Sequence, residues 1–194
     1  FESELSRMLE LMRGEHRFGI DGGEQPVQLK TLVVPEGLGL LVWACWVDDG
    51  LAHLSSLKRS TVVMDFGHRT TQLSLFRGLR LAPVGFVLNR AMGEVFESVL
   101  QRTIDEPLAM PFSPAMHAMM AQDLIWNGSV EVNGLRVTLE GVMPPLRYEA
   151  RKVWPEIRAA VGRALAGVAY ERVVAGGGGA HLLGDELQDL FGDR

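Results

Sequence analysis

Residues 62–71 have the sequence Val-Val-Met-Asp-Phe-Gly-His-Arg-Thr-Thr. A short apolar, β-branched strand ends at Asp65, and Gly67 then permits a sharp reversal of the chain. Hydroxyl side chains follow at once on the return strand. A turn of this kind directs N–H groups and hydroxyls towards phosphate oxygens, and a carboxylate at the strand end suits a hydrated Mg²⁺. By itself, the stretch also fits any β-hairpin with an aspartate in its turn.

A second unusual stretch lies near the other end of the chain. Residues 173–183 have the sequence Val-Val-Ala-Gly-Gly-Gly-Gly-Ala-His-Leu-Leu. Four glycines between an apolar strand and a helix allow a flat ligand to approach the backbone closely, with the N–H groups of the helix start nearby. The alternative is a flexible connector. The absence of serine and the ordered elements on both sides favour the ligand site.

Hydrophobic periodicity around these stretches predicts an α/β protein with a mixed sheet. Before residue 62 it predicts a helix over residues 2–12, strands over residues 17–20 and 27–34, and a buried apolar helix over residues 38–47. Between the two stretches it predicts strands over residues 71–76 and 79–84, an amphipathic helix near residues 91–100, a helix from Ser113-Pro114 to Trp126, and a hairpin turning at Asn133-Gly134. Pro144-Pro145 are predicted to open the longest helix, and a buried strand over residues 172–175 and a helix over residues 182–191 follow.

Composition limits the class of protein. The chain has 194 residues, of which 47% are apolar and 22% charged, with a net charge of −5, as in a soluble globular protein. Neither a basic cluster nor an apolar run of the ~20 residues that a membrane span needs is present, so we expect no direct nucleic-acid or membrane binding. The single cysteine, Cys45, excludes an internal disulfide and predicts a cytoplasmic location. Because the chain begins at Phe1, we expect a fragment of a longer protein.

Together, the two stretches resemble the actin-like ATPase superfamily, which includes actin, heat-shock chaperone ATPases, sugar kinases and the ParM-type filaments that segregate plasmids. The second lobe of that superfamily carries Asp-x-Gly-x-x-Thr on a phosphate-binding hairpin, and later a hydrophobic-x-Gly-Gly-Gly-Ala-x-Leu segment against the adenosine. Asp65, Gly67 and Thr70 match the first pattern. The second pattern is matched by Gly177, Gly178, Gly179, Ala180, Leu182 and Leu183.

The intervening segments are similar to the ParM-type branch. They are residues 33–37 (Val-Val-Pro-Glu-Gly) and residues 125–134 (Ile-Trp-Asn-Gly-Ser-Val-Glu-Val-Asn-Gly). The resemblance implies a ribonuclease-H-like, actin-type second lobe with a mixed sheet and flanking helices. Residues 1–91 and 143–194 would form this lobe, and residues 92–142 a small inserted subdomain.

The resemblance also implies roles for individual residues. Asp65 would hold the hydration shell of Mg²⁺. The predicted phosphate contacts are Gly67, His68, Thr70 and Thr71, the predicted ribose neighbour is Gly93, and the predicted adenosine seat is Gly177, Gly178, Gly179 and Ala180. Alternatively, His68 is a turn residue that points to solvent and Gly93 is a helix-packing glycine.

Gln72 stands where many relatives have an aspartate. It is the predicted catalytic partner of Asp65, and its amide can position a water molecule but cannot act as a base or ligate metal as a carboxylate. We therefore expect slow hydrolysis, or a water molecule held by the other lobe. The fragment alone should have little ATPase activity.

The implied function is ATP or ADP binding with Mg²⁺ and self-association into filaments for plasmid or DNA segregation, with a DNA-bound adaptor protein as a partner. One alternative is a non-filamentous member, either a chaperone-like ATPase or a small-molecule kinase. Another is a degenerate scaffold that no longer hydrolyses nucleotide. Trp43, Trp46 and Trp126 are predicted to be core residues, as are Met110, Met116, Met119 and Met120 rather than contacts between protomers.

Overall fold

The computed structural model describes residues 7, 10, 14–20, 23–29, 34–45 and 58–192. Contacts divide the chain into two compact units, Phe1–Glu36 and Gly37–Arg194. No helix in the described part of the chain is long and apolar enough to cross a bilayer. The predicted boundaries of an inserted subdomain, at residues 92 and 142, remain predictions.

The first unit contains an antiparallel hairpin of strands β1 (Gly14–Ile20) and β2 (Gly23–Leu29). Gly14 lies opposite Leu29, and Ile20 lies opposite Gly23 at the closed end. The predicted pair of strands is confirmed, although β1 begins before Arg17 and β2 before Val27. Of the helix predicted over residues 2–12, residues 7 and 10 are helical and the others lie outside the described residues.

The second unit carries the two motif stretches. In chain order it contains α1 (Leu38–Ala44), β3 (Ser60–Phe66), β4 (Thr71–Arg77), β5 (Arg80–Leu88), α2 (Met92–Leu100), α3 (Pro114–Asn127), β6 (Ser129–Val132), β7 (Leu135–Thr138), α4 (Leu139–Ala164), β8 (Arg172–Gly176) and α5 (Gly184–Phe191). A π-helical turn (Gln101–Asp105) and a further helical turn (Glu106–Leu108) continue α2, and a 3₁₀ turn (Ala180–Leu183) precedes α5.

Four strands form a mixed sheet in the order β5-β4-β3-β8. The pairs β3–β4 and β4–β5 are antiparallel, whereas β8 runs parallel to β3, so the predicted mixed sheet is confirmed. The prediction that residues 172–175 form a buried strand is wrong in one respect. Because β8 ends the sheet within the described residues, most of it is half-buried and Ala175 is exposed.

Apolar side chains are buried on both faces of β3, as expected for a central strand with helices on both sides. On one face, Val62 and Met64 pack into the main core with α2 and α4. On the other face, Val63 packs in a smaller cluster with Leu41 of α1. This arrangement confirms the predicted α/β fold.

The sequence signals Ser113-Pro114 and Asn133-Gly134 correctly predicted α3 and the β6–β7 hairpin. The Ser113 hydroxyl accepts a hydrogen bond from the Met116 N–H (3.3 Å), and Gly128 caps the other end of α3. The hairpin turns at Asn133 and Gly134, which have φ values of 49° and 81°. Positive φ at both central residues is the property for which Asn-Gly is preferred in two-residue turns.

The predicted start of the longest helix is wrong. Helix α4 begins at Leu139 rather than at Pro144, because the Thr138 hydroxyl caps it by accepting a hydrogen bond from the Gly141 N–H (3.2 Å). Pro144 and Pro145 therefore lie inside the helix, where each removes one main-chain hydrogen bond.

Several predicted core residues are exposed. Trp43 is 76% exposed and Trp126 is 78% exposed. The buried side of α3 is formed by His117, Met120, Ala121 and Leu124, at helical spacing, and Trp126 lies off that stripe. Met110, Met116 and Met119 are also exposed, so the core prediction is confirmed only for Met120. Trp46 lies outside the described residues.

Candidate functional site

The two motif stretches meet at one edge of the sheet. Strands β3 and β8 are parallel neighbours, and Asp65 pairs with Gly176 at their carboxyl ends. The Gly179 N–H donates to the Phe66 carbonyl (3.2 Å). A Cβ placed on Gly177 would lie 2.6 Å from Asp65 Oδ1, so the aspartate side chain lies directly against the glycine segment. Residues far apart in sequence thus form one structural unit.

Hydrogen bonds hold the tip of the β3–β4 hairpin, one within the turn and two to the start of α2. The Gly67 N–H donates to the Thr70 carbonyl (2.9 Å). The carbonyls of Gly67 and His68 accept hydrogen bonds from the N–H groups of Met92 (3.3 Å) and Gly93 (2.9 Å) at the start of α2. The Gly67 N–H is therefore engaged within the turn, contrary to the expectation that the turn directs such groups towards phosphate. His68 is exposed and Thr70 half-exposed at the tip.

The remaining predicted residues of the hairpin differ in their surroundings. Thr71 is buried, and its hydroxyl donates to the Arg90 carbonyl (2.8 Å), so the structure does not bring it to the exposed tip. Gln72 lies opposite Asp65 across β3 and β4, with Nε2 3.5 Å from Thr70 Oγ1. A Cβ on Gly93 would overlap the His68 carbonyl oxygen, which supports the packing role.

The glycine segment presents different residues to two surfaces. Gly178 lines a cavity of about 340 Å³, and no described atom lies within 4 Å of the position that its Cβ would occupy. Gly177 and Ala180 instead line a groove that also includes Leu40 and Trp43. Gly179 packs against Met92. The predicted adenosine seat is thus divided, and Gly178 is the member that faces the cavity.

The cavity at Gly178 has a wall that sequence reasoning missed. The hairpin side is formed by Phe66, Gly67 and His68, and the facing side by Met92, Phe96, Ala118, Ala121, Gln122, Ile125 and Trp126. The helical spacing of apolar residues in α3 could have indicated this wall. Ile125 and Trp126 lie off the buried stripe of α3 and are therefore exposed. An exposed indole beside an open glycine backbone forms a cavity suited to a flat, partly apolar ligand.

Charged side chains stabilise the loop that supports the hairpin. Arg90 Nε lies 3.1 Å from Glu156 Oε2 of α4, and Arg90 Nη1 lies 3.3 Å from Glu94 Oε2 of α2. These hydrogen bonds, to Glu156 first and then Glu94, raise the pKa of Arg90 above its ordinary value. The Arg90 carbonyl accepts the Thr71 hydroxyl, so the same loop joins β4, α2 and α4.

Solved structures share this arrangement of strands and helices. The archaeal actin homolog Ta0583 superposes with a TM-score of 0.71 at 18% identity, over 100% of this chain and 58% of that chain. Its complex with ADP gives a TM-score of 0.69 at 20% identity, over 98% and 60% of the two chains. The apo pSK41 ParM protein gives 0.60 at 17% identity, over 98% and 52%.

The fold is that of these actin homologs.

The actin-like lobe spans between about half and three fifths of the length of these structures. No family model matches the chain, and no curated protein matches it in sequence. The predicted ribonuclease-H-like, actin-type architecture with ParM-like relatives is confirmed at the level of the fold.

Proposed function

We propose that this actin-like lobe binds ATP or ADP with Mg²⁺ as the second lobe of a cytoplasmic, filament-forming ATPase that segregates plasmids or other DNA. The observation that carries the proposal is the junction of Asp65 with Gly177 at the carboxyl ends of β3 and β8. Ligands of open α/β sheets bind outside the carboxyl ends of the strands. The ADP complex of Ta0583, a protein of the same fold, also supports nucleotide binding.

The hairpin edge offers one carboxylate, that of Asp65, for a hydrated Mg²⁺ ion. No group of three or more His, Cys, Asp or Glu side chains among the described residues is close enough to hold a metal. Mg²⁺ commonly keeps several waters and takes one or two protein carboxylates together with substrate phosphates, so Asp65 alone fits it. Bound Mg²⁺ would neutralise charge on the phosphates. Asp65 would orient its hydration shell.

The hairpin tip would contact the phosphates through side chains. Because the Gly67 N–H is bonded within the turn, we assign the phosphate contacts to the Thr70 hydroxyl and the His68 imidazole, both of which can donate to phosphate oxygens. Gly67 would allow a phosphate to approach the backbone without a side chain in the way.

The cavity between Gly178 and α3 would receive the base. A flat base fits between the open backbone of Gly178 and the apolar side chains of Ile125 and Trp126. Stacking on an aromatic side chain contributes about 1–3 kcal/mol per base. The groove lined by Gly177 and Ala180 lies on another surface, so we assign the base to the Gly178 side.

Gln72 determines what this lobe contributes to hydrolysis. Its amide lies across from Asp65 and near Thr70, where it would position a water molecule by hydrogen bonding. It has no basic group, so proton abstraction would depend on a residue of the other lobe. The same residue favours a second candidate function, a scaffold that binds nucleotide and hydrolyses it slowly or not at all. A non-filamentous ATPase or kinase remains a further alternative.

Filament formation is proposed from the fold of the relatives. ParM from pSK41 and Alp12 share the fold, and Alp12 is known as a filament structure (TM-score 0.54, 14% identity, over 96% of this chain and 55% of that chain). A DNA-bound adaptor protein would connect the filament to its cargo. Sedimentation of the protein with and without ATP tests self-association, and a protein that stays monomeric with ATP at micromolar concentration would favour the non-filamentous alternative.

Calorimetry of Mg²⁺–ADP and Mg²⁺–ATP binding tests the site. We expect Asp65→Ala to weaken Mg²⁺-dependent binding by about tenfold or more, about 1.4 kcal/mol. Asp123→Ala, in the exposed part of α3, is the matched control and should bind like the unaltered protein. Equal binding by both variants would refute the role of Asp65, and the absence of binding by the folded, unaltered protein would refute the proposed function.

A further inference from the structure

The side of the Gly178 cavity that α3 forms is mainly apolar. Its residues are Ala118, Ala121, Gln122, Ile125 and Trp126, which recur at helical spacing along one side of α3. No Asp, Glu, Lys or Arg is present among the described residues that line the cavity. The lining therefore suits an uncharged, flat group such as a base better than it suits a charged one.

Gln122 is the side chain of this wall that can both donate and accept a hydrogen bond. It is exposed on α3, and its carboxamide carries an N–H₂ group and an acceptor oxygen. The indole of Trp126 can only donate, and the three other residues of the wall have no polar side-chain atom. On the opposite side of the cavity, we assign His68 to the phosphates. Gln122 is therefore the group best suited to select the base, since a few polar groups give a mainly apolar site its specificity.

Gln122 is a neighbour of the proposed stacking surface. It precedes Trp126 by four positions, so the two side chains lie about 6 Å apart along the axis of α3. Both line the same cavity, and both are exposed. A base that stacks on the indole therefore has one edge beside the carboxamide.

We propose, on the basis of the nucleotide site proposed above, that Gln122 determines the base specificity of this lobe. Its carboxamide oxygen accepts a hydrogen bond from the 6-amino group of adenine, and its N–H₂ group donates to the adjacent ring nitrogen. Gln and Asn pair with adenine in this bidentate manner where proteins recognise bases in nucleic acids, whereas guanine is paired most often with Arg or Lys.

Guanine matches this wall less well. On one edge it presents two acceptors, N7 and O6, one of which would meet the carboxamide oxygen. On its other edge the carboxamide can pair with O6 and N1–H, but the 2-amino group needs a further acceptor. The neighbouring side chains of α3, Ala118, Ala121 and Trp126, offer none. A polar group without a partner weakens binding, so adenine is the preferred base.

The test is calorimetry with three nucleoside diphosphates in the presence of Mg²⁺. They are ADP, GDP and purine riboside 5′-diphosphate, in which a hydrogen atom replaces the 6-amino group of ADP. We expect the unaltered protein to bind ADP about tenfold more tightly than either of the others. Equal affinity for ADP and purine riboside diphosphate, or for ADP and GDP, would overturn the inference.

Gln122→Met removes both hydrogen-bonding groups and keeps the length of the side chain. We expect this variant to bind ADP about tenfold more weakly and to lose the preference over purine riboside diphosphate, because the two changes remove the same contact. Gln101→Met is the matched control. It makes the same change at an exposed residue outside the lining of the cavity, and it should keep the preference. A preference for ADP that persists in folded Gln122→Met would contradict the role of Gln122.

Gln122→Glu is a second variant, which keeps the size and the acceptor of the side chain. Its ionised carboxylate cannot donate to a ring nitrogen, so we expect it to weaken ADP binding as well. Unchanged affinity for ADP would show that the carboxamide N–H₂ makes no contact with the base. Thermal melting shows whether each variant is folded.

The binding of ADP by the unaltered protein separates the two proposals. A folded protein that binds none of the three diphosphates would refute the proposed function, and the role of Gln122 with it. ADP binding that depends on Asp65 but is insensitive to Gln122 and to the 6-amino group would refute only the role of Gln122.

Discussion

Gly177, Gly178 and Gly179 are adjacent in sequence, yet a side chain on each would meet different surroundings. Gly177 has a φ of 82° and lies against Asp65, and Gly179 packs against Met92. Gly178 alone opens onto the cavity. At the scale of the residue, the glycines therefore divide into two that allow the motif stretches to pack and one that leaves room for a ligand.

We predict that Gly178→Val blocks nucleotide binding without unfolding the protein. Its side chain would enter the space between Gly178 and Trp126. Gly177→Ala should instead lower stability, because the left-handed conformation costs an L-residue about 1–2 kcal/mol and the added carbon approaches Asp65. Calorimetry and urea unfolding of both variants check this. Normal binding by Gly178→Val would contradict the assignment of the cavity.

Trp126 gives a second prediction at this scale. Trp126→Ala should raise the Kd for ATP by about tenfold, because base stacking is lost, while the free energy of unfolding changes little for an exposed side chain. Trp43→Ala is the matched control, since Trp43 is equally exposed but lies on the other groove. Affinity for inorganic triphosphate, which has no base, should be the same in both variants. A loss there would show that Trp126 acts on folding or on the phosphates.

At the scale of the element, the start of α4 shows how two local signals compete. Pro144-Pro145 predicted a helix start, but the Thr138 cap begins the helix at Leu139, five positions before Pro144. We predict that Thr138→Ala lowers the free energy of unfolding by about 0.5–2 kcal/mol. Ser113→Ala, at the cap of α3, should have an effect of similar size. Urea unfolding measures both, and an unchanged midpoint for Thr138→Ala would show that the cap does not support α4.

An ion-pair cluster joins α4 to the extension of α2 and provides a pH-dependent prediction. The Lys152 ammonium (2.8 Å), and then Arg102 (2.7 Å), lower the pKa of Glu149 below its usual 4.5. A lowered pKa in the folded state means that the stabilisation is present above the unfolded pKa and is lost as pH falls through the folded value. We expect about 0.2–1 kcal/mol near neutral pH. Urea unfolding of Glu149→Gln should show this deficit near pH 7 and none near pH 2.

Which features could be predicted from the sequence depends on how far along the chain each interaction acts. Ser113-Pro114 and Asn133-Gly134 act within a few residues, so their elements were predicted correctly. The exposure of Trp43 and Trp126 depends on which side of each helix faces the core, and apolar character alone predicted the opposite. The buried contact between His117 Nε2 and Asp105 Oδ1 (2.9 Å) joins two helical segments, and no pattern in the sequence indicated it.

At the scale of the whole molecule, the pairing of strands brings together residues that no single motif contains. Parallel pairing of β3 and β8 brings Asp65 beside a glycine segment more than a hundred residues away, and α2 and α3 complete the cavity at Gly178. Strand topology thus explains how two motif stretches that are far apart in sequence come together. The roles of Asp65, Gln72, Gly67, His68, Thr70 and Gly178 in nucleotide binding stay predictions, and one measurement addresses them together.

That measurement is a backbone amide NMR map of the protein with and without Mg²⁺–ADP. The account predicts that the largest shifts occur at residues 65–70 and 176–179 and at residues 122–126 of α3, with small shifts at Trp43 and along α5. Shifts confined to the groove of Trp43 and Ala180, or spread evenly over the surface, would contradict a nucleotide site at the junction of Asp65 and the glycine segment.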